Sequence, residues 1–335
     1  MHKKIFVSIA SYRDRQCPKT VTSLLRNAKY PERVTIGICE QNKEGDVDCV
    51  DMTSPLIHEY YRNIKIKKIP YKEAKGPTWA RYICSQLWNG EDYYLQIDSH
   101  TKAVKDWDEK LINMIEKINY PKCVISHYPP NVDDYEPEVK NKHLVTRICT
   151  SFFNNKDMIS FRGAQFRDSK GECYEVPYIA AGFLFCSSDF LKEVPYDPNL
   201  KYLFTGEEIL LSIRFWTHGW NIYTPSENIM FHYYTREKEP KIWTDINYCD
   251  EEAINRVKSL IGLNDKPIID EKYGLGQTRT LNNYYDFAGI DIKNKKMFKN
   301  FGNENNKEES NTSYYTLAIS IAIVILVILF LVLKS

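Results

Sequence analysis

Between residues 5 and 126 short apolar runs alternate with stretches of helical periodicity, and few architectures accept such a chain. Residues 5–9 (IFVSI), 34–39 (VTIGIC), 93–97 (YYLQI) and 123–126 (CVIS) read as buried strands, while 64–69 (IKIKKI) alternates with period two, as a half-exposed strand does. Three helical stretches separate them. The first has Pro18 in its opening turn and Val21, Leu24 and Leu25 on one face. The second opens at Gly76-Pro77 and runs through Trp79, Ile83 and Leu87. The third follows Asp106, expected as an N-cap with Glu109 at the N3 position. Repetition of this kind builds a sheet whose strands are covered by helices, so an α/β fold of Rossmann type is expected.

The rest of the chain is less regular. Periodicity is lost over 129–177, long for a loop in a compact domain and a candidate substrate-binding region. It resumes with an apolar run at 178–186 and a helix at 188–194. A second helix opens at Gly206 and carries Ile209, Leu210, Ile213 and Trp216. Short strands are expected at 222–223 and 229–231, and helix over 237–264.

Residues 291–313 are polar and rich in Lys, Asn and Glu, and 316–333 is an apolar run without charge. Eighteen helical residues span about 27 Å, close to one hydrocarbon core. The expected organisation is a globular domain at 1–290, a polar stalk at 291–314 and a transmembrane helix at 315–334. Lys293, Lys295, Lys296, Lys299 and Lys307 precede the run and only Lys334 follows it, which orients the large domain toward the cytosol. The residues before Tyr12 are too few for a secretory leader, so a single-pass C-terminal tail anchor is the expectation.

Composition narrows the function. With 45 basic and 44 acidic residues the chain has no global field to hold nucleic acid. Its 24 Tyr and 6 Trp suit stacking on sugars or nucleobases, and equally a compositional bias. The nine cysteines show no CxxC pair and several sit in apolar runs, which favours reduced thiols over a disulfide framework.

The strand at 93–97 ends in Asp98-Ser99-His100. In extended backbone residues i and i+2 point to one side, so Asp98 and His100 can converge on one ion. The carboxyl ends of strands are where open α/β sheets hold ligands. His232 also ends an expected strand and is the third candidate ligand, with His127 as a substitute. Carboxylate and imidazole together suit Mn2+, with Mg2+ as the other choice. Glu207 and Glu208 stand at a helix start, where the dipole favours them and where either could assist an acceptor hydroxyl. Arg13, Arg15 and Arg81 could neutralise a diphosphate, and Gly182 would allow a sugar to approach the backbone.

With these residues placed, 5–42, 76–108 and 178–236 resemble the GlcNAc-transferase family, typified by the cytoplasmic enzyme that glycosylates hydroxyproline of the Skp1 protein. The same blocks are more distantly similar to the polypeptide GalNAc-transferases. The resemblance implies a GT-A-like fold, a UDP-GlcNAc donor, a divalent metal and retention of anomeric configuration. It also implies roles. Asp98, His100 and His232 would hold the metal, and Arg81 would face the diphosphate. Ser11, Arg13 and Asp14 would lie near the uridine, and Glu207 or Glu208 would contact donor sugar or acceptor. The expected function is GlcNAc transfer from UDP-GlcNAc to a hydroxyl of a protein or glycan, with hydroxyproline as one candidate. Two readings stand beside it: a metal-dependent hydrolase in which Asp98, His100 and His232 activate water, and a non-catalytic, membrane-displayed glycan-binding protein.

Overall fold

The computed structural model describes residues 3–135, 143–236, 239–267 and 270–302. The first half follows the alternation. Strand β1 (Ile5–Tyr12) leads into helix α1 (Cys17–Asn27), then β2 (Val34–Asn42), the short α2 (Pro55–Tyr60), β3 (Ile64–Pro70), α3 (Pro77–Ser85) and β4 (Tyr93–Asp98). The chain continues through β5 (Thr101–Ala103), α4 (Trp107–Ile118) and β6 (Cys123–Ser126). Apolar alternation decides the faces. Ile5, Val7 and Ile9 of β1 pack with Val21, Leu24 and Leu25 of α1 and with Trp107 and Leu111 of α4. Phe6 points the other way, into a second cluster with Tyr94 and Val124. Each such side chain removed from water contributes about 1.5–3 kcal/mol.

The aperiodic stretch 129–177 holds more order than its sequence suggests. It forms β7 (Leu144–Arg147) paired with β10 (Gln165–Asp168), and between them the hairpin β8 (Ser151–Phe153) and β9 (Ile159–Phe161). These strands are only three or four residues long, too short to show a period. Then come β11 (Phe183–Ser187), α5 (Phe190–Glu193), α6 (Glu207–Thr217), β12 (Asn221–Tyr223) and β13 (Met230–His232). The region expected as one helix is two, α7 (Ile242–Asp245) and α8 (Glu251–Leu260). Helix α9 (Leu281–Ala288) and a hairpin of β14 (Ile290–Asp291) and β15 (Lys296–Met297) follow.

Seven strands form the central sheet in the order β12-β6-β11-β4-β1-β2-β3. The β4-β1-β2-β3 half is parallel, as βαβ units require. Strand β11 runs antiparallel to both β4 and β6, which makes the sheet mixed. Helices α6, α8 and α9 pack a further apolar cluster beside it through Ile209, Ile213, Val257 and Tyr284.

Three expectations are corrected. Asp106 does precede α4, but its backbone is left-handed (φ 58°) and its side chain caps nothing. The neighbouring Asp108 is the buried acceptor, taking the Lys29 and Tyr30 amides at 2.7 and 3.1 Å. Cysteines 17 and 49 form a disulfide, because the loop after β2 folds back against the first turn of α1 and brings their Cα atoms to 4.7 Å. Sequence spacing could not show that return. The membrane location is also withdrawn: among the described residues no helix is long and apolar enough to cross a membrane. The apolar run 316–333 and the second half of the stalk, from 303 on, lie outside the described residues.

Candidate active site

The parallel half of the sheet ends in one place. Strand β4 stops at Asp98, and a bend carries Ser99 and His100 into β5. Strand β13 pairs antiparallel with β5, with His232 opposite Thr101. The Tyr233 amide donates to the His100 carbonyl at 3.0 Å, which holds the two histidine-bearing segments together. Asp98, His100 and His232 therefore form a group whose ligand atoms lie within 4.8 Å of one another. Nε2 of His232 is 3.1 Å from Oδ2 of Asp98, and the two imidazole rings are 4.5 Å apart, edge to face.

A guanidinium supports this group from α3. Arg81 Nη2 donates to Asp98 Oδ1 at 3.1 Å, and Nη1 donates to the Glu207 carboxylate at the start of α6. Burial disfavours the charge on Arg81, yet Glu207 and Asp98 together hold it firmly protonated. Burial likewise raises the Asp98 carboxyl, but the His232 hydrogen bond and the Arg81 charge outweigh it and hold it well below the usual range. Glu207 goes the other way: its burial outweighs Arg81 and pushes its carboxyl up.

Glu208, one residue on, is pushed up to about 7, chiefly by burial and against hydrogen bonding from Tyr128. Its Oε2 accepts the Tyr128 hydroxyl, and its Oε1 accepts the Ala181 amide at 2.9 Å. Gly182 sits against Asp98, since a Cβ there would stand 3.0 Å from Asp98 Oδ2. A side chain would crowd that carboxylate.

These groups face a cavity of ≈480 Å3. Tyr12 and Gln41, at the ends of β1 and β2, line one wall. Tyr128, Glu207 and Glu208 line another. The rim is aromatic and open to solvent: Phe204, Trp243 and Tyr234 are 63%, 50% and 49% exposed, and the Phe204 and Trp243 rings meet at 5.6 Å.

Not every expected residue arrives here. Asp98, His100, His232, Arg81, Gly182, Glu207 and Glu208 line the cavity. Ser11, Arg13 and Asp14 do not. Ser11 is fully buried, because alternation along β1 sends Tyr12, not Ser11, to the cavity side. Arg13 has φ 49° and is held by Asp46 at 2.7 Å and Asp245 at 2.8 Å, over the Tyr71 ring. Asp14 is 1% exposed and sits behind His100, with Oδ2 2.7 Å from its Nδ1. His127, the substitute ligand, is fully buried, bonded to Thr146 at 2.7 Å and outside the cluster. Burial holds its imidazole down at about 3.

Sequence reasoning missed Tyr12, Tyr128, Tyr234 and Arg236 as cavity residues. Tyr12 and Tyr128 carried a signal, each standing at or just beyond the carboxyl end of a strand. Tyr234 and Arg236 follow β13 in irregular chain, where no period points a side chain anywhere.

Carboxylates predominate at the cavity floor. Asp98, Glu207 and Glu208 gather around the single guanidinium of Arg81, while the Arg236 guanidinium is engaged by Asp14 at 3.0 Å. An excess of carboxylate removed from water favours a bound cation. One carboxylate oxygen and two imidazole nitrogens are a donor set that first-row divalent ions accept. Nδ1 of His232 is buried without a hydrogen-bond partner among the described residues; the ring is held by its Nε2 contact with Asp98 and by packing against the His100 and Tyr234 rings.

Three comparisons bear on this geometry. No curated protein sequence matches the chain. Among solved structures, GalNAc-T7 with UDP, GalNAc and Mn2+ superposes with a TM-score of 0.53 at 17% identity, covering 77% of this chain and 48% of that one. S. aureus TarS 1–349 in complex with UDP-GlcNAc superposes at 0.50 and 14% identity, covering 78% of this chain and 66% of that one. This chain thus matches about half of the first structure and just under two thirds of the second. At such identities the likeness is one of fold, a GT-A-type α/β sheet. The family profile described as Glycosyltransferase (GlcNAc) matches residues 4–61 and 55–294, a stretch that contains every cavity residue named above. With nearly all of the described chain inside that match, the protein belongs to the GlcNAc glycosyltransferase family.

Proposed function

We propose that this chain is a metal-dependent, retaining transferase that moves GlcNAc from UDP-GlcNAc to a hydroxyl, with hydroxyproline of a protein as the acceptor the family resemblance suggests. The observation that carries the reading is the Asp98–His100–His232 cluster at the carboxyl end of the sheet's parallel half, opening on a cavity of ≈480 Å3. That volume is in the range of small-molecule and cofactor sites. Solved structures of the same fold hold UDP-GlcNAc in TarS and UDP, GalNAc and Mn2+ in GalNAc-T7.

Asp98, His100 and His232 would hold the ion, Mn2+ before Mg2+, because imidazole suits manganese better than magnesium. Bound there, it would offset the negative charge that builds on the diphosphate leaving group. Tyr12 and Gln41 line the wall where a base would lie. Glu207 is gripped by Arg81 and is poorly placed as a nucleophile. Glu208 is tied to Tyr128 and the Ala181 amide, yet it faces the cavity and can accept from a sugar or acceptor hydroxyl. With both carboxylates engaged, the reading that fits is front-face attack by the acceptor with no covalent protein intermediate.

Calorimetry of UDP binding with and without Mn2+ tests the donor site. Chelator-sensitive UDP binding is expected, lost in the Asp98→Ala, His100→Ala double variant. Transfer to hydroxyproline peptides, with the product anomer read by NMR, tests the rest. Metal-independent UDP binding, or unimpaired transfer by the double variant, would sink the assignment.

A further inference from the structure

The Asp14 carboxylate is wholly buried and bonded on both oxygens inside the protein. Oδ1 accepts the Gln16 amide at 2.9 Å. Oδ2 accepts from His100 Nδ1 at 2.7 Å, from the Ser99 hydroxyl at 2.7 Å and from Arg236 Nη2 at 3.0 Å. Helix α1, which follows Asp14, grips the β4–β5 bend a second time. Thr20 of α1 donates its hydroxyl to the Ser99 carbonyl at 2.9 Å and accepts the Thr101 amide at 2.9 Å. A carboxylate so enclosed has no surface open to a nucleotide.

We propose that Asp14 is a positioning residue for the metal centre, an inference that rests on the metal reading above. A carboxylate oxygen against Nδ1 requires the proton there, so in the neutral imidazole Nε2 is left with its lone pair, free to serve as a ligand. The same oxygen holds Arg236, four residues after His232, so one side chain ties together both histidine-bearing segments. His232 has no such partner on its Nδ1 among the described residues. His100 is therefore the ligand oriented by a carboxylate on its far nitrogen, whereas His232 is held through Nε2 by Asp98 and by ring packing on His100 and Tyr234.

Two readouts on the full chain test this. Long-range 1H–15N NMR of the metal-free wild type should show His100 as the Nδ1–H tautomer; the Nε2–H tautomer overturns the proposal without any variant. Mn2+ affinity, read by electron paramagnetic resonance in the presence of UDP, should fall about 10–100-fold in Asp14→Ala. Asp14→Asn keeps an acceptor oxygen and should recover part of that loss, and it stands in if the alanine variant does not fold. Affinity within about twofold of wild type in Asp14→Ala, a margin well inside the usual effect of losing an orienting partner, overturns the inference alone. Wild-type protein that takes up no Mn2+ sinks the metal reading, and this inference with it.

Discussion

Two ion-pair clusters flank the cavity floor, and they are built as opposites. In one, a single cation serves two acids: Arg81 binds Asp98 and Glu207. In the other, a single acid serves two nitrogen donors: Asp14 binds His100 and Arg236. The first leaves an excess of carboxylate facing the cavity, and the second leaves an imidazole nitrogen and a guanidinium there. On the proposed reading, Asp98 would be the anionic ligand for the ion, and the Arg236 guanidinium a donor beside it for phosphate oxygens. The difference is also one of exposure to change. The Asp14 carboxylate is enclosed, while Asp98 keeps part of its surface open to the cavity, its side chain being 28% exposed.

The sharpest way to break this comparison is to remove the shared member of the first cluster. Arg81→Ala leaves the buried Glu207 without its ion-pair partner and Asp98 with only His232, which should cost about 3–5 kcal/mol of stability, read from the denaturant midpoint. Adding Glu207→Gln should recover part of it. No change in midpoint for Arg81→Ala would show that water or an ion already compensates these acids.

Next in size is a pH effect at Glu208. Its carboxyl is raised from 4.5 to about 7, chiefly by burial. A raised acid stabilises the fold at low pH and loses that contribution as pH climbs through about 7. Wild-type stability should therefore fall between these pH values by on the order of 2–3 kcal/mol more than that of Glu208→Gln. Parallel pH profiles for the two proteins would mean that Glu208 titrates normally.

The smallest effect expected is at Gly182. Its backbone is unstrained by a side chain, but a Cβ would stand 3.0 Å from Asp98 Oδ2, the oxygen nearest His232. Gly182→Ala should cost about 1 kcal/mol by crowding alone and weaken Mn2+ binding severalfold. Unchanged Mn2+ affinity would show that this oxygen has room to move.

The chain's parallel half was legible because its strands are long and its helices amphipathic. Residues 5–9 read as a buried strand, and the structure sends Ile5, Val7 and Ile9 to one face and Phe6 to the other. The Asp98-Ser99-His100 strand end was legible for the same reason, and so was His232 after an apolar run. Other features left no such trace. The hairpins of 144–168 use strands too short for periodicity, and Asp106 looks like a cap although its backbone conformation prevents it. The Cys17–Cys49 bond depends on a loop doubling back.

By itself, then, the sequence determined the parallel core, the place where it ends and the residue types gathered there, because hydrophobic periodicity and strand termini are local properties. Only the tertiary structure decided which charges share a partner. Arg81 meets Glu207 across 126 positions, and His100 meets Asp14 across 86. Alternation along β1 turned Tyr12 to the cavity, and the tight turn after it carried Asp14 behind the imidazole. Pairings at that range are set by packing and chain reversal, which no stretch of sequence encodes alone.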